Sequence, residues 1–191
     1  YGASAVAAMG VSHKINMLPL QICLGFSQGI MPLVSYNYAS GNRKRMKDSI
    51  LFAMGIIVPA MVAVTVGYWA FAPGLIRLFM ENPEIVAYGT AFLRAMCLGM
   101  TFLCIDFMAV GVFASLGRGK NSLIFAILRK VVLEIPLLVI LNALWPLYGL
   151  AYAQFLTEVV LTVAAIVMLI RIFRQCNGVS QTDEKIREEI Q

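Results

Sequence analysis

From Ile15 to Asn42 the chain carries no charged side chain, and from Ser49 to Ile76 it again carries none. Stretches of that length leave few folding options. The hydrocarbon core of a bilayer is about 30 Å thick and is crossed by about 20 apolar residues in helical form. A helix satisfies its own backbone hydrogen bonds where lipid offers none. Three further stretches are nearly as clean. Ile85–Leu116 holds only Arg94 and Asp106, Leu123–Leu144 holds Arg129, Lys130 and Glu134, and Tyr148–Ile170 holds Glu158 alone. Composition agrees, with 60% hydrophobic and 13% charged residues, against about 45–50% and 25% in soluble domains. A water-soluble fold of this size could not hide that much apolar surface. The short alternating segments of a transmembrane barrel are absent. The expected fold class is all-α, a polytopic integral membrane helix bundle of about five transmembrane helices. It spans residues 1–175 and is followed by a polar tail, 176–191.

Positive charge gives the expected sidedness. Arg43, Lys44, Arg45 and Lys47 follow the first span, Arg118 and Lys120 the third, and Arg171, Arg174, Lys185 and Arg187 the fifth. The opposite side has Lys14 and Arg77, the latter offset by Glu81 and Glu84, and the uncharged turn "LWPLYG". The basic loops and the C-terminus are therefore expected in the cytoplasm of a multi-pass protein of the cell membrane. That places the N-terminus outside, and the sequence begins with Tyr1. The expectation is of a piece whose upstream spans lie outside this sequence.

Within the first span, Pro19 and Pro32 predict bends or local breaks. "GFSQG" (Gly25–Gly29) fits the G-x-S-x-G pattern of hydrolase nucleophiles, but that chemistry needs a strand–turn–helix corner and a nearby base. His13, the one histidine, is about three helical turns away. Gly25 and Gly29 are instead expected to admit a neighbouring helix. "SLGRGKNS" (Ser115–Ser122) lacks the spacing of a phosphate loop and reads as a cytoplasmic turn. Cys23, Cys97, Cys104 and Cys176 show no metal-ligand spacing and read as free thiols. No catalytic residue, metal centre, cofactor or nucleic-acid partner is expected, and the chain does not read as an enzyme.

Acids inside the spans are more informative, because each is costly in lipid unless paired or hydrated. Asp106 lies ten positions before Leu116, roughly 15 Å into the membrane. Glu134 and Glu158 lie at similar depth on the next two spans. Lys130 and Glu134, four apart, can neutralise each other. Glu158 has no cation within a turn of its own helix and can bond to a neighbouring helix or serve transport. Asp106 likewise lacks a local cation, and could exchange a proton or bind a cation. Arg129 and Arg94 are expected to snorkel towards the two membrane surfaces.

The order of these features is familiar. "MLPLQICLGFSQGIMPLVSYNYASGN", "VFASLGRGKNS" and "LRKVVLEIPLLVIL…PLYGLAYAQ" together resemble the multidrug and toxic compound extrusion (MATE) family over nearly the whole chain. The resemblance implies the C-terminal lobe of a two-lobe transporter, from its eighth helix to its twelfth. It implies a secondary antiporter that exports cationic or amphipathic compounds in exchange for Na+ or H+, with a possible Na+ at Asp106. Phe102 and Met96 stand where the sodium-coupled branch tends to have tyrosines. Asp106, Glu134 and Glu158 are the candidate ion- and substrate-binding residues, with Asn37 and Tyr36 of the "YNY" cluster. The implied partners are small organic cations or amphipathic drugs, the lipid bilayer and an N-terminal lobe of the same polypeptide. A lipid-linked saccharide flippase of the wider superfamily and a non-transport membrane scaffold are the alternatives.

Overall fold

A computed structural model describes the backbone of residues 2–117, 119–144 and 148–189, without the side chains of 121, 148, 150, 151 and 175–189. Among the described residues the chain is helix and turn. It runs through α1 (Ala3–Ala39), α2 (Arg43–Arg77), α3 (Pro83–Cys97), α4 (Met100–Ser115) and α5 (Gly119–Ile127). A π-helical segment (Leu128–Glu134), α6 (Ile135–Leu144) and α7 (Tyr148–Glu189) follow.

Local chemistry sets the boundaries. Gly41, at φ 76°, closes α1, with its N–H on Tyr38 O. Asn42 then opens α2 by accepting from the Arg45 N–H at 3.1 Å. Asn82 does the same for the Glu84 N–H at 2.9 Å, with Pro83 in the first turn of α3. Gly117, at φ 72°, ends α4.

Among the described residues three helices are long and apolar enough to cross a membrane: α1, α2 and the Tyr152–Arg174 part of α7. The pair α3–α4, bent by 43°, makes a fourth. The expected fourth span, Leu123–Leu144, is helical but divided among α5, the π segment and α6. Its pieces are short and it carries Arg129, Lys130 and Glu134, so it does not stand beside the other four by length and composition. The π segment has a local cause. Pro136 has no N–H and its ring would crowd the carbonyl one turn earlier. A widened turn relieves that, and Ile135 N–H reaches back to Lys130 O.

Polarity is distributed inside out. Ser12, Ser27, Asn37, Asp106, Thr157, Glu158 and Thr162 are buried, whereas Leu51, Phe52, Phe71, Val139 and Ile140 are exposed. Such a surface suits lipid, and interior polar groups tie the helices together. Ser12 donates to Gly89 O at 3.1 Å across α1 and α3. Ser27 donates to Phe107 O at 2.8 Å and Ser35 to Ser115 O at 2.9 Å across α1 and α4.

Two sequence expectations for α1 need correction. Pro19 and Pro32 lie inside one unbroken helix, so no backbone break occurs at either. Among the described residues Gly25 and Gly29 meet no neighbour: a Cβ at either would find nothing within 4 Å. The close approach is made by Ser27, which points about 200° around the helix from both, and by Gly111 on α4. A Cβ at Gly111 would collide with Ser27 Oγ. The "LWPLYG" turn lies largely outside the described residues, as does Arg118 in the basic turn. The 176–191 tail begins inside the α7 backbone, so no helix break marks the expected boundary at 175.

Three glycine-to-alanine variants of the intact parent polypeptide separate these roles. Gly111→Ala is expected to lose about 1–3 kcal/mol through overpacking. Gly25→Ala and Gly29→Ala are expected to be neutral or slightly stabilising. Thermal unfolding in detergent reads all three.

Candidate functional site

The site forms where α4, the π segment and α7 meet. Asp106 is 2% and Glu158 1% exposed. Neither carboxylate is alone. Arg129 Nη1 donates to Asp106 Oδ2 at 3.2 Å, and Nη2 donates to Glu158 Oε1 at 2.7 Å. The Arg129 side chain is 13% exposed, and its guanidinium lies over the Phe107 ring, 4.7 Å from its centroid. Arg129 does not snorkel to the surface. A planar fork between two interior acids recovers more energy than a side chain stretched towards water.

The frame is held from several sides. Thr162, one turn beyond Glu158, donates to Phe102 O at 3.0 Å, one turn before Asp106. Phe102 and Phe155 pack edge to face at 5.9 Å between centroids. Gly99, at the α3–α4 bend, faces α7: a Cβ there would stand in ordinary contact with Phe155 Cα at 3.5 Å and Glu158 Cγ at 3.9 Å.

Charge and hydrogen bonding do not close within the trio. Two carboxylates face one guanidinium, so with both acids ionised the group carries one net negative charge. Asp106 Oδ1, Glu158 Oε2 and Arg129 Nε are buried with no hydrogen-bond partner. Buried polar atoms are ordinarily satisfied. These three atoms, two acceptors and one donor, are what the trio leaves unsatisfied.

The other candidates lie apart. Glu134 pairs with Lys130, whose Nζ reaches its two carboxylate oxygens at 2.8 and 2.7 Å. Lys130 is 67% exposed, so this is the expected self-neutralising pair on an outer face. Asn37 is buried, but its amide donates to Leu33 O of its own helix at 2.8 Å. Tyr36 is 71% exposed. Neither belongs to the trio. Arg94 donates to Trp69 O at 3.1 Å and lies over that ring. Among the described residues no cluster of three or more His, Cys, Asp or Glu could hold a metal ion.

Arg129 is the residue that reading the sequence missed as a site member, and a signal for it exists. Asp106 precedes Gly117 by about eleven residues and Arg129 follows it by about twelve. Around a tight turn the two therefore reach the same depth, roughly 17 Å by helical rise.

Comparison with known proteins adds context. Residues 1–140 match the MatE family. The Multidrug export protein MepA of Staphylococcus aureus is 34% identical over 174 residues, covering 88% of this chain and 37% of that protein. This chain thus spans a little over a third of the length of such relatives. The fold is close to a crystal structure of MATE in the bent conformation, with a TM-score of 0.87 and 21% identity over 94% of this chain and 40% of the other. The Vibrio cholerae MATE transporter VcmN in the bent form gives a TM-score of 0.84 at 18% identity, covering 92% and 40%.

Removing the shared cation should be costly. Arg129→Met in the intact parent is expected to lose about 3–5 kcal/mol by leaving two buried acids unpaired. Adding Asp106→Asn and Glu158→Gln should restore part of it. Lys130→Met should cost about 0–1 kcal/mol, as exposed pairs do. Thermal unfolding of purified variants compares them.

Proposed function

Because the chain belongs to the MatE family, we propose that its intact polypeptide is a secondary antiporter. It exports cationic or amphipathic organic compounds from the cell in exchange for sodium ions or protons. It lies in the cytoplasmic membrane with the basic loops and the C-terminus inside, in keeping with the charge asymmetry. Residues 1–175 form part of its C-terminal lobe, and an N-terminal lobe of the same polypeptide is its partner. The name of the S. aureus relative, a multidrug export protein, supports this reading.

The observation that carries the proposal is the incomplete neutralisation of Asp106 and Glu158. One guanidinium answers two carboxylates, and an oxygen of each acid has no partner. A mobile guest with one positive charge completes the balance, whether proton, sodium ion or organic cation. Arg129 holds the acids when the guest is absent, so no bare pair of negative charges is left in a low-dielectric interior. Asp106 and Glu158 bind the guest, and Arg129 yields part of its contact with them. Exporting one guest then requires that the other leave.

Coupling follows from differential affinity. A guest shifts the balance between inward- and outward-open states only as far as it binds one better than the other, about 1.4 kcal/mol for each factor of ten. The trio joins three separate helices, so occupancy changes how they are tied. Movement of α7 against α4 is the natural response.

Efflux of a fluorescent organic cation from cells expressing the intact parent tests the proposal. With equal amounts of protein in the membrane, Asp106→Asn is expected to lower efflux by at least ~10-fold, the equivalent of about 1.4 kcal/mol of lost differential binding. Unaltered efflux in that variant would remove Asp106 from the transport role.

A further inference from the structure

Between α1, α2 and α4 lies a buried cluster that the transport reading does not use. It contains Cys23 and Cys104, 2% and 0% exposed, with Ala53, Ile57, Met61 and Met108, and Met54 packs against it. Both cysteines are free and lie in the same buried cluster at the α1–α4 seam, Cys23 one turn before Ser27 and Cys104 three residues before Phe107, the two residues that bond across it. The seam holds them in place. One turn beyond Cys23, Ser27 bonds to Phe107 O at 2.8 Å, and Gly111 receives Ser27 at the closest point. Two thiols and three thioethers thus share one apolar cluster, a donor set that favours soft cations.

We propose that Cys23 and Cys104 form a two-thiol site for a soft d10 cation, taking one divalent mercury ion as a linear dithiolate. The step balances without any change of oxidation state. Mercuric chloride exchanges its two chlorides for the two sulfurs; two S–H bonds break, two Hg–S bonds form, and two equivalents of HCl leave.

Charge selects among the soft cations. Divalent mercury with two thiolates is neutral, which an apolar membrane interior accepts. A monovalent soft cation between the same two thiolates would leave a buried negative charge, at high cost. Zinc is disfavoured for a different reason. It takes four nitrogen, sulfur or oxygen ligands, and among the described residues no group of three or more His, Cys, Asp or Glu assembles. Mercuric chloride is itself uncharged and can enter from lipid, so a buried pair needs no aqueous channel. Once bound, the ion ties α1 to α4 as a covalent cross-link would.

The test uses the purified intact parent polypeptide with every cysteine except Cys23 and Cys104 replaced by serine or alanine. It is titrated with mercuric chloride in detergent. Native mass spectrometry counts bound ions, and alkylation after unfolding counts remaining thiols. The expected result is one ion per chain, loss of both alkylatable thiols for each ion bound, and retention of that ion against a monothiol competitor and excess zinc. Separate binding of two ions, one at each thiol, would overturn the proposal. So would reaction only after the protein is unfolded. Cys104→Ser, checked for folding by thermal unfolding without metal, should lose its ion to the monothiol competitor; retention there would equally contradict a two-thiol site.

Discussion

Everything at the centre of this helix bundle depends on one guanidinium shared between two carboxylates. An ion moved from water into an apolar interior loses several kilocalories of hydration, and only well-placed partners recover it. Arg129 supplies those partners to Asp106 and Glu158 at once. It does so incompletely, because one positive charge faces two negative ones. Full pairing would make a structural strut. No pairing would leave two repelling acids in the dark of the membrane. The intermediate case ties three helical segments together and leaves one oxygen of each acid without a partner.

The backbone is arranged around that requirement. Arg129 is carried by a widened helical turn placed just before Pro136, where an ordinary α-helix would be strained. Asp106 sits on α4, the helix that packs against α1, α2, α5 and α7. Glu158 comes from α7, which passes the α3–α4 bend beside Gly99. Meanwhile α1 and α4 are fastened by Ser27, Ser35 and Gly111. One side of α4 is therefore tied by neutral hydrogen bonds and close packing, and the other by charges. Under the proposed antiport, a guest would act on the charged side.

Much of this could be read in the residue order, and the failures have physical causes. Long uncharged runs leave helices in lipid as the economical outcome, so fold class was legible. The Lys130–Glu134 pair was too, because four-residue spacing puts both on one face. Partnership between helices was not. Asp106 seemed to lack a counter-charge because its own helix has none nearby, yet Arg129 reaches it from the next element. Arg129 in turn looked like a surface residue when its distance was taken from the start of an apolar run. Its distance from the Gly117 turn gives the right depth. Gly25 and Gly29 illustrate a related limit: spacing shows that two residues share a face, but not which face meets a neighbour. Tyr36 and Asn37 came from a motif, and the geometry keeps them apart from the acids.

Infrared difference spectroscopy of the intact parent in lipid, recorded as the exported cation or sodium is added, tests most directly whether Asp106 and Glu158 hold a seat for a guest. Carboxyl bands can be assigned by their disappearance in Asp106→Asn and Glu158→Gln. Both bands are expected to change when the cation binds, together with a guanidinium band that is absent in Arg129→Met. Binding of the cation with both carboxyl bands unaltered would mean that the trio is only a strut, and that the guest sits elsewhere.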